Sequence, residues 1–161
     1  MKIRPIRGRL SETMQQEGAI VSDQVLYPPM PKPDSVTEFF WSGVDRHELL
    51  ILRCQACATY LHPPKEVCRS CLSTKLEPER VSGNATLVTW TEPRKAYDPY
   101  FAAHQPYIFA TVNLVEQEPL RFATNLVDCT GDELRIGQPL AVTFREVAPG
   151  CTLPLFEVVA R

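Results

Sequence analysis

The sequence predicts a mainly β protein with a short N-terminal helical segment, a small metal-binding ribbon and a five-stranded C-terminal barrel. Three observations predict it. Four cysteines fall into two C-x-x-C pairs within RCQACATYLHPPKEVCRSC, residues 53–71. Downstream lie five segments rich in β-branched and aromatic residues, each bounded by turn residues. Upstream, one stretch alone has a helical period.

Residues 1–33 form an N-terminal extension. Its first 26 residues show no clear period and read as a terminal tail, or as an arm that orders on a partner. Residues 34–48 read as an amphipathic helix. Ser35 followed by Glu38 is a capping-box signature, and Val36, Phe39, Phe40, Val44 and His47 recur at three- and four-residue steps, with Trp41 beside them. Such a stripe is more often ordinary core than a docking surface. The ribbon that follows has little core to offer, however, so Phe39, Phe40 and Trp41 are the expected partner-contact residues of this segment.

Residues 49–80 are the expected ribbon, with LLILR as one strand and KLEPERVSG as the returning strand and turn. Cys54, Cys57, Cys68 and Cys71 supply four soft ligands from two facing turns, an arrangement that suits tetrahedral zinc, with iron as the alternative that no other feature of electron transfer supports. Four thiolates leave no open position, so the expected Zn2+ is structural. A unit this short cannot bury enough apolar surface alone, so the ion supplies its folding free energy. A thioredoxin-like reading fails because neither pair opens a helix in a βαβ context. Metal knuckles often carry glycine after each pair; here Ala58 and Leu72 stand there, which predicts strain or an altered turn. His62 lies between the pairs but is not needed as a ligand. Cys129 and Cys151 read as small residues near turns.

Residues 81–161 hold the segments NATLVTWTE, YIFATVNLVE, LRFATNLVD, PLAVTFREV and LPLFEVVA, with GDELRIGQ as a turn or single helical turn between the third and fourth. Five strands with one long loop after the first predict a small barrel of the OB type. That loop, residues 92–106, combines Arg94 and Lys95 with Tyr97, Tyr100 and Phe101 at the end where such barrels take ligands. Basic and aromatic groups together suit a phosphorylated nucleotide carrier or a protein partner.

Composition limits the function classes. With 44% hydrophobic and 22% charged residues in 161, the chain is expected to be globular. No apolar run reaches the roughly 18 residues of a membrane span, and no apolar stretch follows the basic N-terminus, which predicts a cytoplasmic protein. Residues 82–161 carry 6 Lys and Arg against 9 Asp and Glu, the wrong bias for displacing counterions from nucleic acid. No nucleophile elbow, HExxH, phosphate-cradling glycine loop or dinucleotide fingerprint occurs, and the three histidines fall in helix, ribbon and loop. The chain is not expected to be catalytic alone.

The ordered blocks FFWSGVDRHELLILRCQAC, HPPKEVCRSCLS, VSGNATLVTWT, LRIGQPLAVTF and LPLFEV resemble the acyl-CoA-associated OB-fold proteins with a rubredoxin-like zinc ribbon, once catalogued only as a domain of unknown function. The resemblance runs from about Pro31 to the C-terminus. It implies a non-catalytic small subunit beside a thiolase-fold enzyme, in a hetero-oligomer such as α2β2, acting on acyl-CoA thioesters. Within it, a two-subunit thiolase of aromatic-compound degradation is expected. The alternatives are a partner for a thiolase-like retro-aldolase or a hotdog-fold enoyl-CoA hydratase in steroid side-chain degradation. A nucleic-acid-binding zinc-ribbon and OB module is the reading from another class. The implied CoA-phosphate candidates are Arg94 and Lys95, then Arg53, with Tyr97, Tyr100 and Phe101 joining the helix aromatics as partner contacts.

Overall fold

The computed structural model describes residues 26–159, so expectations for residues 1–25 lie outside the described residues. Helix α1 spans Glu38–Asp45, shorter than the expected 34–48, and both ends have local causes. At its start the Asp34 carboxylate accepts the N–H groups of Val36 (3.1 Å) and Thr37 (2.9 Å) and the Thr37 hydroxyl (2.6 Å). This turn precedes Thr37 as the N-cap, and the Ser35–Glu38 capping box does not form. At its end, the N–H of Glu48 reaches the carbonyl of Gly43 and that of His47 reaches Val44, both at 2.9 Å. His47 lies in the left-handed region at φ 59°. These bonds make a Schellman termination, normally built on glycine. His47 therefore leaves the helical stripe, and its ring stacks on Phe144 at 5.3 Å.

The ribbon is a three-stranded antiparallel sheet, with β1 (Leu50–Cys54) between β2 (Tyr60–Leu61) and β3 (Leu76–Arg80). Pro78 sits on the edge strand β3, where a missing N–H is tolerated. Gly43 lets α1 lie against this sheet: a Cβ there would stand 2.7 Å from Leu50 Cγ.

The rest is a closed barrel of β4 (Asn84–Thr91), β5 (Ile108–Leu114), β6 (Arg121–Leu126), β7 (Pro139–Ala148) and β8 (Cys151–Val158). Its strand order is β4-β5-β6-β8-β7 with β6 and β8 parallel, the OB arrangement the strand count predicted. Closure is uneven. The β7–β8 ladder runs from Leu140–Val158 to Ala148–Cys151, whereas β6 and β8 meet through one pair, Leu126 with Phe156. A 3-10 turn at Gly131–Glu133 delivers Leu134 into the core. The long loop holds an element the sequence did not announce, α2 (Pro99–Ala103), capped by the Asp98 side chain on the Tyr100 N–H at 2.9 Å.

Two apolar clusters meet at α1. The larger joins Phe40, Val44, Leu49, Ile51 and Tyr60 to the barrel interior around Leu87, Val112, Phe122 and Phe156. The smaller holds Leu52, Cys54, Leu61 and Cys68, with Phe39 and Leu76 packed on it. Phe40, expected among the partner contacts, is 6% exposed and joins helix and barrel into one core. Phe40 and Val44 of the helix stripe are buried within the chain, while Phe39 and Trp41 are partly exposed. Among the described residues no helix is long and apolar enough to cross a membrane.

Candidate functional site

The two C-x-x-C turns close on one point. Cys54 leaves the end of β1, Cys57 follows a single turn later, and Cys68 and Cys71 come from the facing loop before β3. Their sulfurs all lie within 4.8 Å of one another, with Cys54 to Cys71 and Cys57 to Cys68 at 3.6 Å. A disulfide needs about 2.0 Å. Around zinc, with Zn–S of about 2.3 Å, tetrahedral sulfurs stand about 3.8 Å apart, so this set fits the ion.

The electrostatics of the four thiols also call for a cation. Hydrogen bonding to Thr59 pulls Cys57 down to about 6. For Cys71 the Ser73 backbone N–H favours the thiolate, yet the other cysteines and burial outweigh it and push the thiol up to about 12. Four sulfurs this close cannot all ionise without a positive charge among them. Zinc would hold them as thiolates and clamp both turns; with every position taken by sulfur it would not activate water.

The turns carry the expected signature of the missing glycines. Ala58 and Leu72 take φ of 61° and 62°, the left-handed conformation, and their N–H groups bond back to the carbonyls of Cys54 and Cys68 at 2.8 and 3.0 Å. The knuckle geometry is kept, and the strain falls on two exposed side chains.

Beside the metal centre, Arg53 is committed. Its guanidinium pairs with both Glu79 oxygens at 3.1 and 2.9 Å and lies 5.2 Å from the Tyr60 ring centroid, while the Tyr60 hydroxyl donates to Glu79 at 2.5 Å. These bonds hold the Glu79 carboxyl below its ordinary range, the Tyr60 hydroxyl contributing most. A phosphate reaching Arg53 would have to displace Glu79. Arg94 and Lys95, by contrast, are exposed at the start of the long loop, and Lys95 Nζ lies 4.9 Å from the Tyr97 ring centroid. Tyr97 is 87% exposed. Tyr100 stacks on His104 at 4.1 Å and Phe101 packs on Tyr107 at 5.0 Å, so these two are partly spent on ordering the loop.

The site that sequence reasoning missed is a cleft of about 290 Å³ where helix, ribbon and barrel meet. Phe40 and Trp41 line it from α1, His62 from beyond β2, and Phe109, Phe122, Thr124, Asn125, Leu153 and Pro154 from the barrel. Nothing local in the sequence brings these segments together.

A chain with a four-thiolate rubredoxin-type ribbon leading into an OB barrel belongs to a defined class of two-domain β proteins. A model of the rubredoxin-like zinc ribbon domain of ChsH2 matches residues 41–77, and one of the ChsH2 C-terminal OB-fold domain matches residues 78–145. A chain of the solved Ltp2–ChsH2(DUF35) aldolase superposes with a TM-score of 0.72 at 30% identity, covering 80% of this chain and 98% of that one. The protein belongs to the ChsH2/DUF35 family. A DUF35-family protein of unknown function from Sulfolobus solfataricus shares the fold, with a TM-score of 0.54 at 15% identity, over 78% of this chain and 86% of its own. Among curated proteins, a probable enoyl-CoA hydratase alpha subunit of Thermomonospora curvata is 31% identical over 80% of this chain. The chain spans only 39% of that relative's length. A DUF35 domain-containing scaffold protein of Methanocaldococcus jannaschii is 29% identical over 64% of this chain and 72% of its own.

Proposed function

We propose that the protein is a non-catalytic subunit that docks on a thiolase-fold enzyme and completes its acyl-CoA site for carbon–carbon bond cleavage or formation. One observation carries the reading: nearly the whole of the ChsH2(DUF35) chain from a two-protein aldolase aligns with this one. The chemistry agrees. The metal set leaves no open coordination position, so the ion itself would not activate water. The partner would supply the reacting groups. The subunit would then act by positioning, for which oriented reactants gain up to about 7–11 kcal/mol over free encounter.

In this reading the metal clamps the ribbon, and the ribbon and barrel present the long loop to the partner. Arg94 and Lys95 meet the nucleotide phosphates of CoA, and Tyr97, Tyr100, Phe101, Phe39 and Trp41 contribute partner contacts. A two-subunit thiolase acting on aromatic acyl-CoA is the preferred form, in an α2β2 type of assembly within the cytoplasm. A retro-aldolase partner serves the same geometry. A hydratase partner is the second reading, favoured by the Thermomonospora relative, whose alignment with this chain fills two-fifths of its length. Nucleic-acid binding is the remaining class, and the acidic bias of residues 82–161 counts against it.

The test is purification of the tagged, zinc-loaded chain from its native host. A thiolase-fold protein in near-stoichiometric yield, whose acyl-CoA turnover falls when the chain is removed, supports the proposal. A hotdog-fold partner moves it to the hydratase reading. Recovery of the chain alone with turnover of its own sinks it.

A further inference from the structure

The cleft between helix, ribbon and barrel has three properties of a built site. The first is its place in the barrel. The β6–β8 junction, held by a single residue pair, is the weakest in the ladder. Two residues before that pair on each strand, the link is made by a side chain instead of the ladder: the Thr124 hydroxyl donates to the Pro154 carbonyl at 3.0 Å. Pro154 is a residue with no N–H to offer a neighbour. The cleft lies over this short junction, lined by Thr124 and Asn125 on the β6 side and Leu153 and Pro154 on the β8 side, with Phe40, Trp41 and His62 across from them.

The second property is charge. Every residue lining the cleft is uncharged apart from His62, and burial pulls His62 down to about 4, so its imidazole is neutral near pH 7. The third is an unspent polar group. His62 stacks on Phe122 at 4.6 Å and packs on Phe40 at 5.9 Å, yet it forms no hydrogen bond among the described residues. Its Nδ1 is enclosed without a partner. An enclosed bare nitrogen is less costly than an enclosed unpaired N–H, so the proton is assigned to Nε2. The ring that lines the cleft is then a hydrogen-bond donor held among aromatic faces, with no acceptor from the protein.

We propose that this cleft binds an uncharged ring-bearing group carrying a carbonyl oxygen, the ring packed among Trp41, Phe109 and Phe122 and the oxygen accepting from His62. The volume of about 290 Å³ suits one or two rings. Two sources share that chemistry: a free aryl ketone, or the acyl end of an aromatic thioester. The cleft shares Trp41 with the proposed partner contacts, and the thioester source rests on that reading; His62, Phe109 and Phe122 are its own, and the free-ketone arm of the test does not depend on a partner.

The test uses the full zinc-loaded chain carrying Trp90→Phe, which leaves Trp41 as the single tryptophan. The probe is 2-acetylnaphthalene, followed by quenching of Trp41 fluorescence. Saturable quenching is expected. 2-Naphthoate, of similar shape but charged, should bind at least about tenfold more weakly, since the cleft offers its carboxylate no counter-charge. His62→Phe keeps the stack and removes the donor, and should weaken the ketone about tenfold. Metal content and melting temperature establish whether that variant folds. If it does not, Phe109→Ala serves instead, at a side chain already 45% exposed, with a loss of at least about threefold expected. The N-acetylcysteamine thioester of 2-naphthoic acid separates the sources: competition with the ketone assigns the acyl group, and binding of the ketone alone assigns a free ring compound. Equal binding of ketone and carboxylate, or affinity unchanged in the folded variants, overturns the proposal. So does binding abolished by neither variant but blocked when a protein partner is added, which would make the cleft a protein-docking pocket.

Discussion

The side-chain amide of Gln117 pairs with the backbone of Tyr60 as a neighbouring strand would. Its oxygen accepts the Tyr60 N–H at 2.8 Å and its nitrogen donates to the Tyr60 carbonyl at 3.3 Å. Tyr60 lies on the two-residue strand β2, whose far edge no ribbon strand covers. Gln117 lies in the turn between β5 and β6, so one side chain ties the ribbon edge to the barrel. Gln117→Ala should cost about 1–3 kcal/mol by leaving both backbone groups short of a partner. Hydrogen exchange is the direct measurement: the Tyr60 amide should lose protection while barrel amides such as Val112 keep theirs. Uniform loss across the chain would mean the two parts unfold as one unit regardless of this contact.

Much of this architecture is readable from the residues, for reasons particular to each element. The cysteine spacing carries the metal centre because the geometry is local: each pair spans one turn, and Ala58 and Leu72 show the strain their identity implies. The barrel is readable because its strands alternate or run apolar between turn residues. Strand β2 is not, because two residues carry no period. The end of α1 is not, because the Schellman turn uses His47 where the usual sign is glycine. Phe40 shows the deeper limit: a helical stripe has the same pattern whether its partner lies inside the chain or outside it. The cleft brings residues 40 and 154 together, which no local pattern contains.

The knuckle strain predicts a gain of function in metal binding. Replacing Ala58 or Leu72 by glycine removes a left-handed Cβ penalty of about 1–2 kcal/mol, offset in part by the freer unfolded chain. Leu72 is 77% exposed, so its side chain takes little packing with it. Each variant should bind zinc about two- to fivefold more tightly in competition with a chromophoric chelator. Leu72→Val, β-branched at the same φ, should bind more weakly than the parent.

Removing the metal should act beyond the ribbon. Cys54→Ser with Cys57→Ser, or excess chelator, takes away the free energy that folds residues 49–80. Because Leu49, Ile51 and Tyr60 belong to the same cluster as the barrel interior, the barrel should survive with a lowered melting temperature. Zinc content, far-ultraviolet dichroism and the melting curve together check this. A barrel melting unchanged after metal loss would show that the shared cluster contributes nothing.

His62 gives a pH dependence with a definite sign. Burial depresses its folded value to about 4 from the ordinary 6.5, so between those values the unfolded chain binds more protons. Stability is therefore full above about pH 6.5 and falls on acidification toward pH 4, by up to about 3 kcal/mol. Zinc release by protonation of the thiolates overlaps this range, so the comparison is with His62→Phe at matched metal content. That variant should show a flatter stability profile between pH 6.5 and 4.5; equal slopes would mean the imidazole is solvated in the folded protein.

Arg94 and Lys95 are exposed, and substitution there should leave the fold intact. If the loop meets the CoA phosphates as proposed, Arg94→Glu with Lys95→Glu should raise KM for the CoA thioester several-fold in the complex with the thiolase-fold partner and leave kcat nearly unchanged, since such contacts would hold substrate and transition state alike. The effect should shrink as salt rises, because exposed charges are screened within about 10 Å at 0.1 M ionic strength. Pantetheine thioesters, which lack the nucleotide, supply the control: their KM should not respond to the charge reversal. If it rises equally, the loop holds the partner protein in place and the phosphates bind elsewhere.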